Sequence, residues 1–215
     1  MTIPATLDHL LWAVPDLAAG VARLAELTGV TAVPGGSHPG LGTANHLLAL
    51  RVPGSTGPRR TYLEVIGPDP AQDLPADQVS LGVGHVTEPS LHTWAVRPDD
   101  LDETVRLAAA AGVDVGEVRS TERTTPDGRL LRWRMTAGQG GVQPFLIDWR
   151  DTPHPAQAEL PELRLLDLSV TATDVAATGR TLAALGAPLT VTAGDRDALR
   201  AVLLTPRGEV VLETA

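Results

Sequence analysis

Residues 9–30 read HLLWAVPDLAAGVARLAELTGV, and residues 92–113 read HTWAVRPDDLDETVRLAAAAGV. A shift of 83 positions superposes the two without a gap. Eight pairs are then identical: His9/His92, Pro15/Pro98, Asp16/Asp99, Arg23/Arg106, Leu24/Leu107, Ala25/Ala108, Gly29/Gly112 and Val30/Val113. In each copy a short apolar run meets a Pro-Asp break, followed by an amphipathic stretch that stops at glycine. That order predicts a strand, a helix N-cap at Asp16 or Asp99, a helix, and a left-handed glycine just past its end. The tripeptide WAV, at residues 12–14 and 94–96, aligns in a register one residue off. A chain that repeats a strand–helix unit is restricted to folds that pair or stack like modules.

Taken in order, residues 7–14 predict a strand and 17–27 a helix, with Leu17, Val21, Leu24 and Leu27 at helical spacing. Residues 30–33 add a short strand. The stretch 34–42, PGGSHPGLG, is so dense in Gly and Pro that no regular element is expected there. Strands follow at 45–52 and 60–66, separated by the turn PGSTGP at 53–58, and then a polar, Pro-rich connector. The second unit repeats the order, with a strand at 92–96, a helix at 100–111 and strands at 115–121, 130–135 and 144–149. Its last two strands are separated by a glycine-rich loop at 138–141. A weaker third copy runs from DLSVTATD through a helix at 175–185 to strands at 189–192, 199–204 and 209–214. The expected class is α+β, made of repeated βαβββ modules that form curved, mostly antiparallel sheets. The expected boundaries are a first module at 1–70, a connector at 71–90, a second module at 91–150, a connector at 151–162, and a third, degenerate module at 163–215.

Composition removes several kinds of chemistry. A net charge of −9 disfavours a nucleic-acid partner, which needs clustered basic charge. All 17 basic residues are Arg, so Schiff-base lysine chemistry and a Walker-type lysine are excluded. The absence of Cys excludes thiol nucleophiles, disulfides and cysteine-ligated metal. No leader pattern or apolar run of about 18 residues occurs, so no membrane partner is expected and the expected location is cytoplasmic.

Four stretches, DHLLWAVPDL at 8–17, GGSHPGLGTANHLLAL at 35–50, TYLEVIGPDP at 61–70 and PFLIDWRDTPHP at 144–155, resemble the vicinal oxygen chelate superfamily and, more narrowly, glyoxalase-like domain proteins. That superfamily includes glyoxalase I, extradiol dioxygenases and bleomycin-resistance proteins. The resemblance implies paired βαβββ modules. In members that bind a divalent metal, it implies ligands from the first and last strands of a module. His9 lies on the first strand here and Glu64 on the last, flanked by Tyr62, Leu63, Val65 and Ile66. A carboxylate in such company is costly to bury unless paired, metal-bound or protonated. The repeat offers His92 in the slot of His9, so His9, Glu64 and His92 form a two-histidine, one-carboxylate set suited to Zn, Ni, Mn or Fe.

In the glycine-rich stretch, His38 is a candidate acid or base beside Glu64, with Thr43 and Asn45 as polar contacts for substrate. Because neighbouring strand residues face opposite ways, at most one of Asn45 and His46 points inward. Arg123, Trp133 and Trp149 are candidate substrate contacts in the second unit, and His154 is expected to anchor the second connector by a hydrogen bond. The implied function is a metal-dependent isomerase, lyase or dioxygenase acting on a small oxygenated organic molecule. The alternative is a metal-free binding protein of the bleomycin-resistance type. A homodimer is also expected, since modules of this kind pair across chains.

Overall fold

The computed structural model describes residues 3–54, 61–137 and 140–215. Most of the turn expected at 53–58, the start of the strand expected at 60–66 and part of the loop expected at 138–141 lie outside the described residues. The first unit comprises β1 (Leu7–Ala13), α1 (Leu17–Thr28), β2 (Val33–His38), β3 (Thr43–Arg51) and β4 (Tyr62–Pro68). The second comprises β5 (Ser90–Val96), α2 (Leu101–Ala110), β6 (Val118–Thr124), β7 (Leu130–Thr136) and β8 (Phe145–Asp148). A third stretch adds β9 (Glu162–Ala172), α3 (Val175–Ala184), β10 (Thr190–Ala193), β11 (Ala198–Thr205) and β12 (Gly208–Glu213).

The helices begin where aspartate can accept a hydrogen bond from the first turn. Asp16 takes the Ala19 amide, Asp100 that of Glu103, and Asp174 that of Ala177. The second cap is thus Asp100 and not Asp99, because the second copy spends one more residue between its proline and its helix. Gly29 ends α1 in the left-handed conformation (φ 76°), where its amide reaches Ala25 O.

Within each of the first two units the first strand runs parallel to the last, β1 beside β4 and β5 beside β8. The units join twice. β1 pairs antiparallel with β5, and β2 meets β6 at Ser37↔Thr124. Eight strands therefore close into a ring, β1-β4-β3-β2-β6-β7-β8-β5 and back to β1. Closure leaves the ring with an inside and an outside, and both are apolar. Leu11, Ile66, Phe145 and Ile147 pack within it, while Leu10, Trp12, Leu63 and Trp94 belong to a larger core on its outer side. This is why all seven residues of β1 are buried, and why its sequence is apolar on both faces from Leu10 to Ala13.

The β1/β5 seam decides how the two copies correspond. Leu11 pairs with Thr93, but Trp12 pairs with Leu91, so His92 is the extra residue of a β-bulge. Trp12 and Trp94 share the outer core, and Ala13 and Ala95 share the inner one. The strands thus adopt the WAV register, in which the position answering to His9 is Leu91.

The stretch 34–42 is not irregular throughout, contrary to expectation. β2 spans PGGSH and carries a register shift between Pro34 and Gly36, so the two glycines sit in a bulged strand. The expected strand at 115–121 lies slightly later, as β6. The connector after β4 folds into 3-10 turns at Ala76–Gln78 and Ser80–His85, with Val83 fully buried against the inner core. The third stretch keeps the element order of the others but joins its strands as β10-β9-β11-β12. β9 also runs parallel to β3 over Ala49↔Glu162 to Arg51↔Arg164. The apolar face of β9 and β11, including Leu165, Leu168, Val170 and Leu203, completes the outer core.

Candidate functional site

The ring encloses a small cavity of about 40 Å³ that opens at one mouth. Its walls come from β1, β2, β3, β4, β6, β7 and β8, and Ser80 and Leu81 of the second 3-10 turn close over it. Glu64 points into this space because β4 alternates. Leu63 and Val65 face the outer core, while Tyr62, Glu64 and Ile66 face inward. Glu64 is 5% exposed, so its carboxylate needs partners.

Asn45 supplies one. The Asn45 amide donates to Glu64 Oε1, and its second hydrogen faces His38 Nε2 at 3.3 Å. His38 Nδ1 in turn lies 2.8 Å from Thr43 Oγ1, to which it donates when Nε2 is the acceptor. On the other side, Arg123 donates to Asn45 Oδ1 at 3.4 Å. Asn45 is thus the hub of a polar wall, and every one of its bonds is consistent with a neutral His38. Burial lowers the His38 pKa from 6.5 to about 4. Glu64 and Asp69 work against that shift, while Arg123 and His9 add to it.

The opposite wall is organised by Asp8, which is fully buried. Its carboxylate accepts from His9 Nδ1 at 2.7 Å, His154 Nε2 at 3.0 Å and Trp149 Nε1 at 3.1 Å. Burial alone would raise the Asp8 pKa, but the bonds from His154 and His9, with their charges, hold it well below the usual carboxylate range. His154 Nδ1 accepts from the Ala156 amide, so Nε2 carries the proton that it gives to Asp8. With its Nδ1 engaged, His9 directs Nε2 into the cavity, 3.5 Å from Glu64 Oε2. Its ring is held flat on Tyr62, with centroids 4.5 Å apart, and against the edge of Phe145. Two acceptor atoms this close attract only when one of them carries a proton. His9 Nε2 and Glu64 Oε2 thus stand side by side at the cavity wall.

The candidate residues divide clearly. His9, His38, Thr43, Asn45, Glu64 and Arg123 all reach the cavity, and Trp133 and Trp149 wall it with ring centroids 5.2 Å apart. Asn45 points inward while His46 does not, as strand alternation requires. His92 does not join them. As the bulge residue of β5 it bonds the Leu81 carbonyl through Nε2 at 2.7 Å and lines no part of the cavity. The set His9, Glu64 and His92 is consequently not assembled. Asp8 and Tyr62 carry no sequence expectation, although Asp8 bears the same mark as Glu64, a carboxylate inside an apolar strand.

A divalent metal fits these side chains poorly. Asp8 occupies His9 Nδ1, and the Asn45 amide occupies both His38 Nε2 and Glu64 Oε1. His9 Nε2 and Glu64 Oε2 remain, two donors beside the Arg123 cation, where a protein metal centre uses three or four. Among the described residues no group of three or more His, Asp and Glu side chains is arranged to hold a metal ion.

A glyoxalase-like domain matches residues 7–186. The chain belongs to that family. The glyoxalase-like fold is shared with a hypothetical protein from Staphylococcus aureus, at 14% identity over 96% of this chain and 84% of that one (TM-score 0.60). A mutant 4-hydroxymandelate synthase from Streptomyces coelicolor is similar at 16% identity, covering 99% of this chain but 63% of its own (TM-score 0.51). Methylmalonyl-CoA epimerase from Mycobacterium tuberculosis is 21% identical over 74% of this chain and 95% of that one (TM-score 0.42). No curated protein sequence matches this glyoxalase-like chain. Among its described residues no helix is long and apolar enough to cross a membrane.

Proposed function

We propose that the cavity is the active site of an enzyme that moves a proton on a small oxygenated organic molecule, with His9 and Glu64 as its acid–base pair. The observation that carries this reading is the chain of contacts from Asp8 through His9 to Glu64, ending at a cavity wall. Asp8 positions the imidazole, while Nε2 and the Glu64 oxygen face the space where a ligand sits. One of the pair removes a proton from carbon next to a carbonyl group. The electron pair moves onto the carbonyl oxygen, and the proton is returned from the same pair. The apolar walls, Trp133, Phe145 and Ile147 among them, exclude water and strengthen each charge interaction inside. His38, neutral around pH 7, acts as a hydrogen-bond partner of Asn45 in this reading and not as a charged acid.

Proton washout tests it. The protein is incubated in D2O with a panel of small hydroxy- and oxo-compounds, and exchange at carbon is followed by NMR. Exchange is expected with at least one compound, and Glu64→Gln or His9→Ala is expected to slow it by about 100-fold or more. Metal analysis of the untagged protein accompanies the assay. One metal per chain, lost in the His9→Ala/Glu64→Ala variant, would overturn the metal-free acid–base reading in favour of a metal-dependent enzyme. Exchange unchanged in either single variant would remove the pair from the chemistry.

A further inference from the structure

Arg123 is 3% exposed, carries one hydrogen bond of 3.4 Å to Asn45 and forms no ion pair among the described residues. A guanidinium has five N–H donors, and burying its charge without a counter-ion is costly. Burial pushes the Arg123 pKa down, although Tyr62 and Glu64 oppose the shift. The fold nonetheless makes specific room for this side chain. A Cβ at Gly35 would stand 2.8 Å from the Arg123 guanidinium and still closer to Asn45, and one at Gly36 would strike the Thr124 carbonyl. Gly36 also has φ 138°, which side chains rarely adopt. The two glycines of β2 thus form a groove along which Arg123 passes between the cavity and an outer cleft lined by Pro34, Asp127 and His154.

We infer that Arg123 is the anion receptor of the cavity and that the ligand is a small organic carboxylate. It would be held by the guanidinium on one side, with its neighbouring carbon turned toward His9 and Glu64 on the other. The substrate class rests on the acid–base reading above, whereas the anion site itself does not. A carboxylate matches the planar fork of a single arginine. A dianionic phosphate matches the cavity less well, because among the described residues Arg123 is its only guanidinium lining and Glu64 shares the space. An Arg123–carboxylate pair also provides the direct ion pair that Arg123 does not make among the described residues, so ligand charge and protein charge are buried together.

The test uses pyruvate and lactate as anionic probes, lactamide and methyl pyruvate as neutral counterparts, and inorganic phosphate as a competitor. Binding to the full-length protein is read by tryptophan fluorescence, since Trp133 and Trp149 wall the cavity, and by saturation-transfer NMR. The carboxylates are expected to bind at least about tenfold more tightly than their neutral counterparts. Arg123→Gln is expected to abolish that preference, and Arg123→Lys to keep part of it. Gly35→Ala, whose Cβ would crowd Asn45 and the Arg123 guanidinium, is expected to displace that guanidinium and weaken carboxylate binding. Equal binding of charged and neutral probes, tighter binding of phosphate, or no binding of any probe at 10-fold above millimolar concentration would overturn the inference. A charge preference lost in folded Arg123→Gln but kept in His9→Ala would uphold the anion site. If proton washout were also absent, the acid–base reading alone would fall.

Discussion

His38 lies where its own protonation is most strongly opposed. Glu64, Asp69, Arg123 and His9 all bear on it, and burial outweighs the two carboxylates. An unfolded histidine titrates near 6.5, so on acidification the unfolded chain takes up this proton before the folded one does. The depressed folded value means that stability is complete above pH 6.5 and is lost as pH falls toward about 4. The loss amounts to about 2 kcal/mol between pH 7 and pH 5. Asp8 acts in the same direction at lower pH, because its carboxylate must be protonated in acid at the cost of three hydrogen bonds. Urea unfolding at the two pH values checks the first effect. The His38→Gln variant should show a pH dependence flatter by about that 2 kcal/mol, and an unchanged slope would mean that His38 is solvated. Glu64 was legible in the sequence because a carboxylate between Leu63 and Val65 demands a partner. Asp8, between Leu7 and His9, makes the same demand, but its partners His154 and Trp149 lie more than a hundred residues away and only the closed ring brings them near.

Local pattern and assembled position separate most clearly at His92. Sequence identity aligns it with His9, yet one bulged residue on β5 turns it away from the cavity and onto the Leu81 carbonyl. Leu81 has φ 58°, a left-handed conformation that costs a side-chain-bearing residue about 1 kcal/mol or more. The hydrogen bond from His92 helps hold it, and Leu81 covers the cavity. The expected consequence of His92→Ala is therefore a looser 3-10 turn at Ser80–His85, seen as faster hydrogen exchange or proteolysis there, with metal content unchanged. Loss of a bound metal in that variant would instead restore His92 as a ligand. β2 illustrates the opposite error. Its glycines are poor strand formers, but the strand lies at the seam between the units, where ring closure supplies pairing on both sides and Arg123 needs the space that side chains would fill.

At the scale of the whole molecule, the ring cannot be separated from the stretch that follows it. The first two units close a barrel with an inner core of its own, but their outer face, with Leu10, Trp12, Leu63 and Trp94, is covered by β9 and β11. Leu165, Leu168, Val170, Leu199 and Leu203 are each no more than 1% exposed, and burying such a side chain contributes about 1.5–3 kcal/mol. Five of them together contribute on the order of 10 kcal/mol, comparable with the whole stability of a domain. β9 also continues the sheet from the edge of β3, and Thr214 donates to the Leu91 carbonyl beside the β1/β5 seam. The glyoxalase-like match ends just past α3, yet β11 and β12 lie beyond it and complete the same core. A chain ending at residue 161 is accordingly expected to lose its cooperative thermal transition and to aggregate on size exclusion, although every cavity-lining side chain is retained. A monodisperse truncated protein that melts cooperatively near the temperature of the full chain would show that the ring stands alone. The third stretch would then be an addition to the fold and not the other half of its core.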